Sequence, residues 1–208
     1  MSTIQVVEPV ETPPTTAEAS IVPPPEASIV VISAGHVQAS STARLAGLLG
    51  EAAHTALEAS GRPAAVTHLE LRRFAVDVTG ALLGHERTPA LDEAVAAVQR
   101  ADAIVVVTPT INASFSGLLK SFLDVLPPDA LRSVPTTIAA TGGTQRHTLV
   151  LDQAVRPMLG YQRAIVLPSC LYVTADEWEG PRPVPALAER IASAGAELAA
   201  FTPARVAA

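Results

Sequence analysis

Three short polar segments carry the residue types that could do chemistry in this chain. The first runs from Ser33 to Thr42 and ends in the hydroxyl triplet Ser40-Ser41-Thr42. The second runs from Pro109 through Thr110, Ile111, Asn112, Ser114 and Phe115 to Ser116, with Gly117 next. The third is Thr141-Gly142-Gly143-Thr144, continuing to His147. Hydroxyls just ahead of a helix sit where unpaired helix N–H groups point outward and the dipole favours an anion. Ser40, Ser41 and Thr42 therefore offer either a phosphate cradle or a plain helix cap. Glycines and exposed amides after a strand let backbone approach a flat ligand closely, or simply make a tight turn. A Walker loop is excluded because no Gly-Lys-Ser/Thr follows the first segment. The dinucleotide fingerprint is excluded because only Gly35 is present there.

The elements between these segments decide whether they meet. Ile29-Val30-Val31-Ile32 reads as a buried strand that stops at Ser33-Ala34-Gly35. Thr42 to Ala59 repeats apolar residues at Leu45, Leu48, Leu49, Ala52 and Ala56, a helix ended by Ser60-Gly61-Arg62-Pro63. A weaker strand follows at Val66 to Leu71, then a helix at Pro89 to Ala101. Ala103 to Val107 is the clearest strand, broken by Thr108-Pro109. A helix from about Ser116 to Leu126 stops at Pro127-Pro128. Pro135 to Ala140 is a fourth strand, Arg146 to Tyr161 a helix with Pro157 threatening a kink, Ile165 to Val173 a fifth strand, and Val184 to Phe201 a last helix. Alternating strands and helices imply right-handed crossovers and a parallel sheet covered on both faces. The expectation is an α/β flavodoxin-like fold, a doubly wound five-stranded parallel sheet of order 2-1-3-4-5. In such a sheet ligands bind outside the carboxyl ends of the strands, where all three polar segments fall.

Composition narrows the function classes. The chain has 208 residues, 14 basic and 20 acidic side chains, a net charge of −6 and a single cysteine. No dense Lys/Arg cluster marks a nucleic-acid or anionic-membrane footprint. No apolar run approaches the roughly 20 residues of a membrane helix. One cysteine fits a reducing cytoplasm, and Cys170, in a strand pattern, reads as a small buried hydrophobe. Residues 1 to 27 hold six prolines, four glutamates and no Lys or Arg, and read as a disordered acidic tail ahead of one domain, 28 to 208. The five histidines show no metal-ligand spacing. Trp178, beside acidic neighbours, reads as a loop residue packed on a subunit. A phospho-accepting receiver domain needs carboxylates at the strand ends, which here offer Ser33, Thr108 and Thr141. An aromatic content of 3% argues against an electron shuttle that clasps a flavin between rings.

The block from Thr108 to Tyr172 resembles the NAD(P)H-dependent FMN reductases that feed two-component monooxygenases, the alkanesulfonate systems above all. The likeness rests on Thr108-Pro109, the run Ala113 to Lys120, Asp124-Val125-Leu126-Pro127 and Ala140 to Thr144. His147, Asp152, Ala154, Arg156-Pro157 and Leu159 continue it. The resemblance implies FMN and NAD(P)H as cofactors, a flavin-dependent monooxygenase as partner, and a homodimer or homotetramer. It places the flavin phosphate at Ser40, Ser41 and Thr42, with Ser33 also counted among the cofactor-binding residues. The ring falls on Pro109, Thr110, Ile111, Asn112, Ser114, Phe115, Thr141, Gly142 and Gly143. A quinone or azo reductase with fixed FMN is the alternative. Phe115 stands where close relatives have tyrosine, at a position some of them place in an irregular helical turn. Hydride transfer between nicotinamide and flavin needs no protein acid, base or nucleophile, so the absence of a catalytic triad is consistent. With no Lys or Arg between Ser28 and Ala43, the first segment predicts a weakly held, exchanging flavin. Gly142→Val is expected here to harm flavin binding more than folding.

Overall fold

The computed structural model describes residues 26–204. The predicted acidic tail lies outside the described residues except for Glu26 and Ala27, and Ala27 already belongs to the first strand. The chain runs β1 (Ala27–Ser33), α1 (Ser41–Ala59), β2 (Ala64–Glu70), a 3₁₀ turn (Leu71–Phe74), α2 (Ala75–Leu82) and α3 (Pro89–Gln99). It continues with β3 (Ala103–Ile111), β4 (Ser114–Phe115), α4 (Gly117–Asp124) and β5 (Pro135–Thr141). Last come α5 (Arg156–Tyr161), β6 (Ile165–Val173), the small hairpin β7 (Trp178–Glu179) and β8 (Arg182–Pro183), and α6 (Pro185–Phe201). The parallel strands lie in the order β2-β1-β3-β5-β6, the doubly wound order expected from the strand pattern.

Period-two alternation sends each central strand into two cores. Val30, Ile32, Ile104 and Val106 face α3, α4 and α5, while Ile29, Val31, Val105 and Val107 face α1 and α6. Burial on both faces explains why these strands read as unbroken apolar runs. On the second face α6 crosses α1 at very short range. Gly195 packs directly on the backbone of Ala52 and Ala53, and a β-carbon there would lie 2.6 Å from the Ala52 carbonyl carbon.

Several elements depart from the sequence pattern. The segment between Arg72 and Leu83 forms a short helix, α2, that the pattern did not show. Its β-branched Val76, Val78 and Thr79, together with Gly80, are poor helix formers, and Val76 is 85% exposed. β3 does not stop at Pro109 but runs on to Ile111. Past Val107 it has lost β1 as a neighbour, since Ser33 pairs opposite Val107. A missing N–H costs least at such a place. The predicted helix 146–161 breaks into a 3₁₀ turn (Gln145–His147), a π-helical turn (Leu151–Val155) and α5. Pro157 cannot donate to residue 153 and crowds its carbonyl, so the ladder widens just ahead of it. Phe115 belongs to a strand; the irregular turn of this chain is at 151–155.

β3 and β4 are joined by Asn112-Ala113, both left-handed at φ 49° and 61°, with Ile111 paired to Ser114. Two positive φ values make a type I′ hairpin turn, which suits asparagine but strains alanine. Ala113→Gly is expected to stabilise the fold by about 0.5–1 kcal/mol, relief of strain outweighing glycine's extra unfolded-state entropy. Urea unfolding at equal m-value checks it, and an unchanged midpoint defeats it.

At the outer edge, β6 leaves register with β5 between Thr136 and Ile138. Arg156 gathers the carbonyls of Val166, Leu167 and Pro168 on one guanidinium, whose Nε donates to Asp152. The Ser169 N–H donates to Glu197.

Candidate functional site

A cavity of about 550 Å³ opens at the carboxyl ends of β1, β3 and β5. β1 ends there because Ala34 donates to the Val107 carbonyl at 2.9 Å and the chain then turns outward. Helix α1 begins on the cavity wall. Ser40 is its N-cap, accepting from the Ala43 amide at 3.1 Å, so this hydroxyl is a cap. Thr42 is buried, and its hydroxyl lies 2.7 Å from that of Thr141, tying the first segment to the third. Ser41 and the leading amides of α1 are what remain to face a ligand. No acidic side chain stands in the first turn of α1.

The second segment meets the first through His36, whose Nε2 lies 2.9 Å from Ser116 Oγ. Ser116 is fully buried, caps α4 by accepting from Leu118, and donates its own amide to Thr108 at 2.9 Å. Three loops are thus held together by side-chain bonds under the cavity floor and rim. Pro109, Thr110 and Ile111 form one wall, and Thr110 Oγ1 has no hydrogen-bond partner among the described residues. Thr141, Gly142 and Gly143 form another. The Gly142 amide is already engaged by the Val173 carbonyl at 3.0 Å. A β-carbon on Gly142 would fall 1.9 Å from the hydroxyl of buried Tyr172, so Tyr172 alone already requires a glycine at this point of the cavity wall.

Nine of the residues predicted from sequence therefore line one cavity: Ser40, Ser41, Thr42, Pro109, Thr110, Ile111, Thr141, Gly142 and Gly143. Four do not. Ser33 is buried at the end of β1, and Asn112, Ser114 and Phe115 lie on the β3–β4 hairpin beyond the wall. The resemblance placed Asn112, Ser114 and Phe115 at the ring, but β3 runs on past Pro109 to Ile111 and carries them onto the hairpin.

The sequence pattern missed Val173, Thr174, Ala175, Arg44 and Trp178 on the wall. Trp178 lines the cavity from the β7–β8 hairpin, where a subunit contact had been expected. The Arg44 guanidinium lies 5.1 Å from the Trp178 ring centroid and donates to the Gly180 carbonyl at 3.0 Å. No periodicity in the sequence tells which way Arg44 points, though a single tryptophan near the end of the last strand was a usable hint.

Other candidates fall away. Lys120, the sole lysine, forms an exposed pair with Asp124 at 2.6 Å on α4, an arrangement that contributes below about 1 kcal/mol. Burial pushes the half-buried Cys170 thiol up, Asp152 adds to it, and Cys170 packs against the first core as a neutral side chain. Among the described residues no group of three or more His, Cys, Asp or Glu is placed to hold a metal ion, and no helix is long and apolar enough to cross a membrane.

The strand order and the cavity at its reversal point define a flavodoxin-like α/β protein with its ligand site at the carboxyl edge. The chain belongs to the NADPH-dependent FMN reductase family, whose model matches residues 27–179. It is 37% identical over 109 residues to the NADH-dependent FMN reductase SfnE of Pseudomonas putida, a match covering 52% of this chain and 59% of that protein. The chain thus spans a little over half the length of the curated relatives it matches. An oxidoreductase from Corynebacterium diphtheriae superposes with a TM-score of 0.80 at 40% identity, covering 85% of this chain and 97% of that one. The apo form of the NADH:FMN oxidoreductase EMOB gives 0.74 at 29% identity over 86% and 91%.

Proposed function

We propose that this protein is an NAD(P)H-dependent FMN reductase that passes reduced flavin to a flavin-dependent monooxygenase. The observation that carries it is the mix of residues on one cavity's walls. The start of α1 brings the Ser41 hydroxyl and Arg44, a donor set for phosphate. The ends of β3, β5 and β6 bring Pro109, Ile111, Gly143 and Val173, a surface for a flat ring. The cavity volume lies within the range of small-molecule sites.

Bound flavin would accept a hydride from the nicotinamide, and the protein's task is to position the two rings. Ser41, the leading amides of α1 and Arg44 would fix the phosphate, which sets the ring's depth. Pro109 to Ile111 and Thr141 to Gly143 would orient the ring and keep water from one side of it. Holding two partners in line is an entropic contribution and requires no titrating side chain. None lies on the wall apart from His36, which is hydrogen-bonded to Ser116. The names of relatives such as the NADH-dependent FMN reductase SfnE support the reduction of FMN by a nicotinamide donor.

NADH and NADPH oxidation by the purified full chain is expected to rise several-fold on adding FMN. No stimulation by FMN, FAD or riboflavin, with folding verified by circular dichroism, defeats this function. A second reading, a quinone or azo reductase with fixed FMN, is favoured by one observation: Arg44 supplies the positive charge that the segment from Ser28 to Ala43 lacks. Flavin content after gel filtration separates them. A colourless protein with micromolar FMN affinity supports exchange, and one FMN per chain surviving dialysis supports the fixed cofactor.

A further inference from the structure

We propose that Arg44 makes the cavity selective for ligands carrying a phosphate monoester, acting from a position that it shares with the β7–β8 hairpin. This rests on reading the cavity as a flavin site. Arg44 is the one Lys or Arg side chain on the cavity wall among the described residues. None of the ion pairs among those residues involves it. Its two contacts, the Gly180 carbonyl and the Trp178 ring face, attract a cation without neutralising it. They also hold the long side chain in one orientation, so less rotamer entropy is lost when a ligand arrives. The N–H groups not given to Gly180 keep the planar fork that matches phosphate oxygens. Arg44 stands one turn into α1, on the same wall as Ser41 and Thr42.

The same side chain ties down the hairpin. Gly180 is its turn residue, at φ 62°, and Trp178 is the hairpin residue that closes the cavity's side. A phosphate drawn to Arg44 would therefore share its guanidinium with the group that places Trp178. Ligand phosphate and the hairpin's position are coupled through one side chain.

Two phosphate monoesters fit this chemistry, the 5′-phosphate of FMN and the 2′-phosphate of NADPH. Arg44 also borders a second hollow of about 480 Å³ with Gly47, Leu48, Glu51, His54 and His68, so each source needs its own arm of the test.

The test uses the full-length wild type, Arg44→Gln and Arg44→Lys. Kd for FMN and for riboflavin, and KM for NADPH and for NADH, are measured on each. Trp178 is the chain's single tryptophan, so its emission and acrylamide quenching report the hairpin directly. Losing a charged hydrogen bond to phosphate costs about tenfold or more in affinity. Arg44→Gln is therefore expected to cut the FMN-over-riboflavin preference about tenfold while riboflavin affinity stays within roughly threefold. Quenching of Trp178 should rise in Arg44→Gln, and Arg44→Lys should retain part of the FMN preference. A collapse of the NADPH-over-NADH preference instead assigns the phosphate to the nicotinamide cofactor and still supports the role. Equal loss of FMN and riboflavin affinity, with the NADPH preference intact, overturns it in favour of a structural side chain. Unchanged preferences alongside FMN-stimulated turnover overturn it and leave the flavin site standing. A wild type that neither binds nor responds to any flavin removes both.

Discussion

Gly142→Val is expected to destabilise the fold by about 3 kcal/mol, a fall of roughly 6–12 °C in melting temperature, before any ligand is considered. The sequence pattern alone points the other way, to a loss of flavin binding with folding spared. The difference is Tyr172. A β-carbon at 142 would sit 1.9 Å from the tyrosine hydroxyl and 2.7 Å from its ring carbon Cζ. Tyr172, on β6, is itself buried within the first core, so it has little room to swing. Its hydroxyl has no hydrogen-bond partner among the described residues, so Tyr172→Phe alone should be neutral or mildly stabilising. The double change Gly142→Ala with Tyr172→Phe should recover part of the loss seen with Gly142→Ala, since Cζ remains too close. Thermal melts of the ligand-free variants check this. A melting temperature within about 1 °C of wild type for Gly142→Val, with flavin affinity lost, would restore the view that the glycine serves the ring.

Gly195→Ala is the second large effect, and its sign is decided by two opposed magnitudes. In an exposed helix interior the change would stabilise by about 1 kcal/mol through helix propensity. Here the new methyl meets backbone: Ala52 C at 2.6 Å and Ala53 N at 2.8 Å, with the Ala52 methyl also at 2.6 Å. Backbone of a buried helix cannot rotate aside as a side-chain tip can, so α6 must lift from α1. Overpacking of this kind costs about 1–3 kcal/mol, and more where nothing yields. A net loss near 2 kcal/mol, roughly 4–8 °C, is expected. Gly160→Ala, exposed on α5 with open space around its position, serves as the control and should be neutral or stabilise by up to about 1 kcal/mol. A gain in stability for Gly195→Ala would mean that the two helices are farther apart than described.

Strands built from β-branched runs were legible. Ile29 to Ile32 and Ala103 to Val107 are buried on both faces, so nothing in their sequence competes with that reading. α1 and α6 were legible because their apolar stripes match one face of a long helix. α2 was not, because its burial rests on Val78 while Val76 and Leu83 are exposed. The hairpin β3–β4 was hidden by Pro109, whose usual meaning as a strand breaker fails where one neighbouring strand has already ended. In the candidate site, hydroxyls and glycines announced the three loops, since their conformational demands are local. Arg44 and Trp178 meet only through the fold, 134 positions apart in the chain, and no local rule brings a helix arginine onto an indole.

The outer strand β6 has a consequence for the company this chain can keep. A sheet margin normally offers a row of free acceptors on which a stray extended segment can template itself, the first step toward amyloid-like stacking. Here the carbonyls of Val166, Leu167 and Pro168, beside the irregularity where β6 leaves register with β5, are already taken by Arg156, and Pro168 has no hydrogen to offer. An extended segment arriving at that stretch would find fewer free acceptors on which to pair. Losing Arg156 would uncover it.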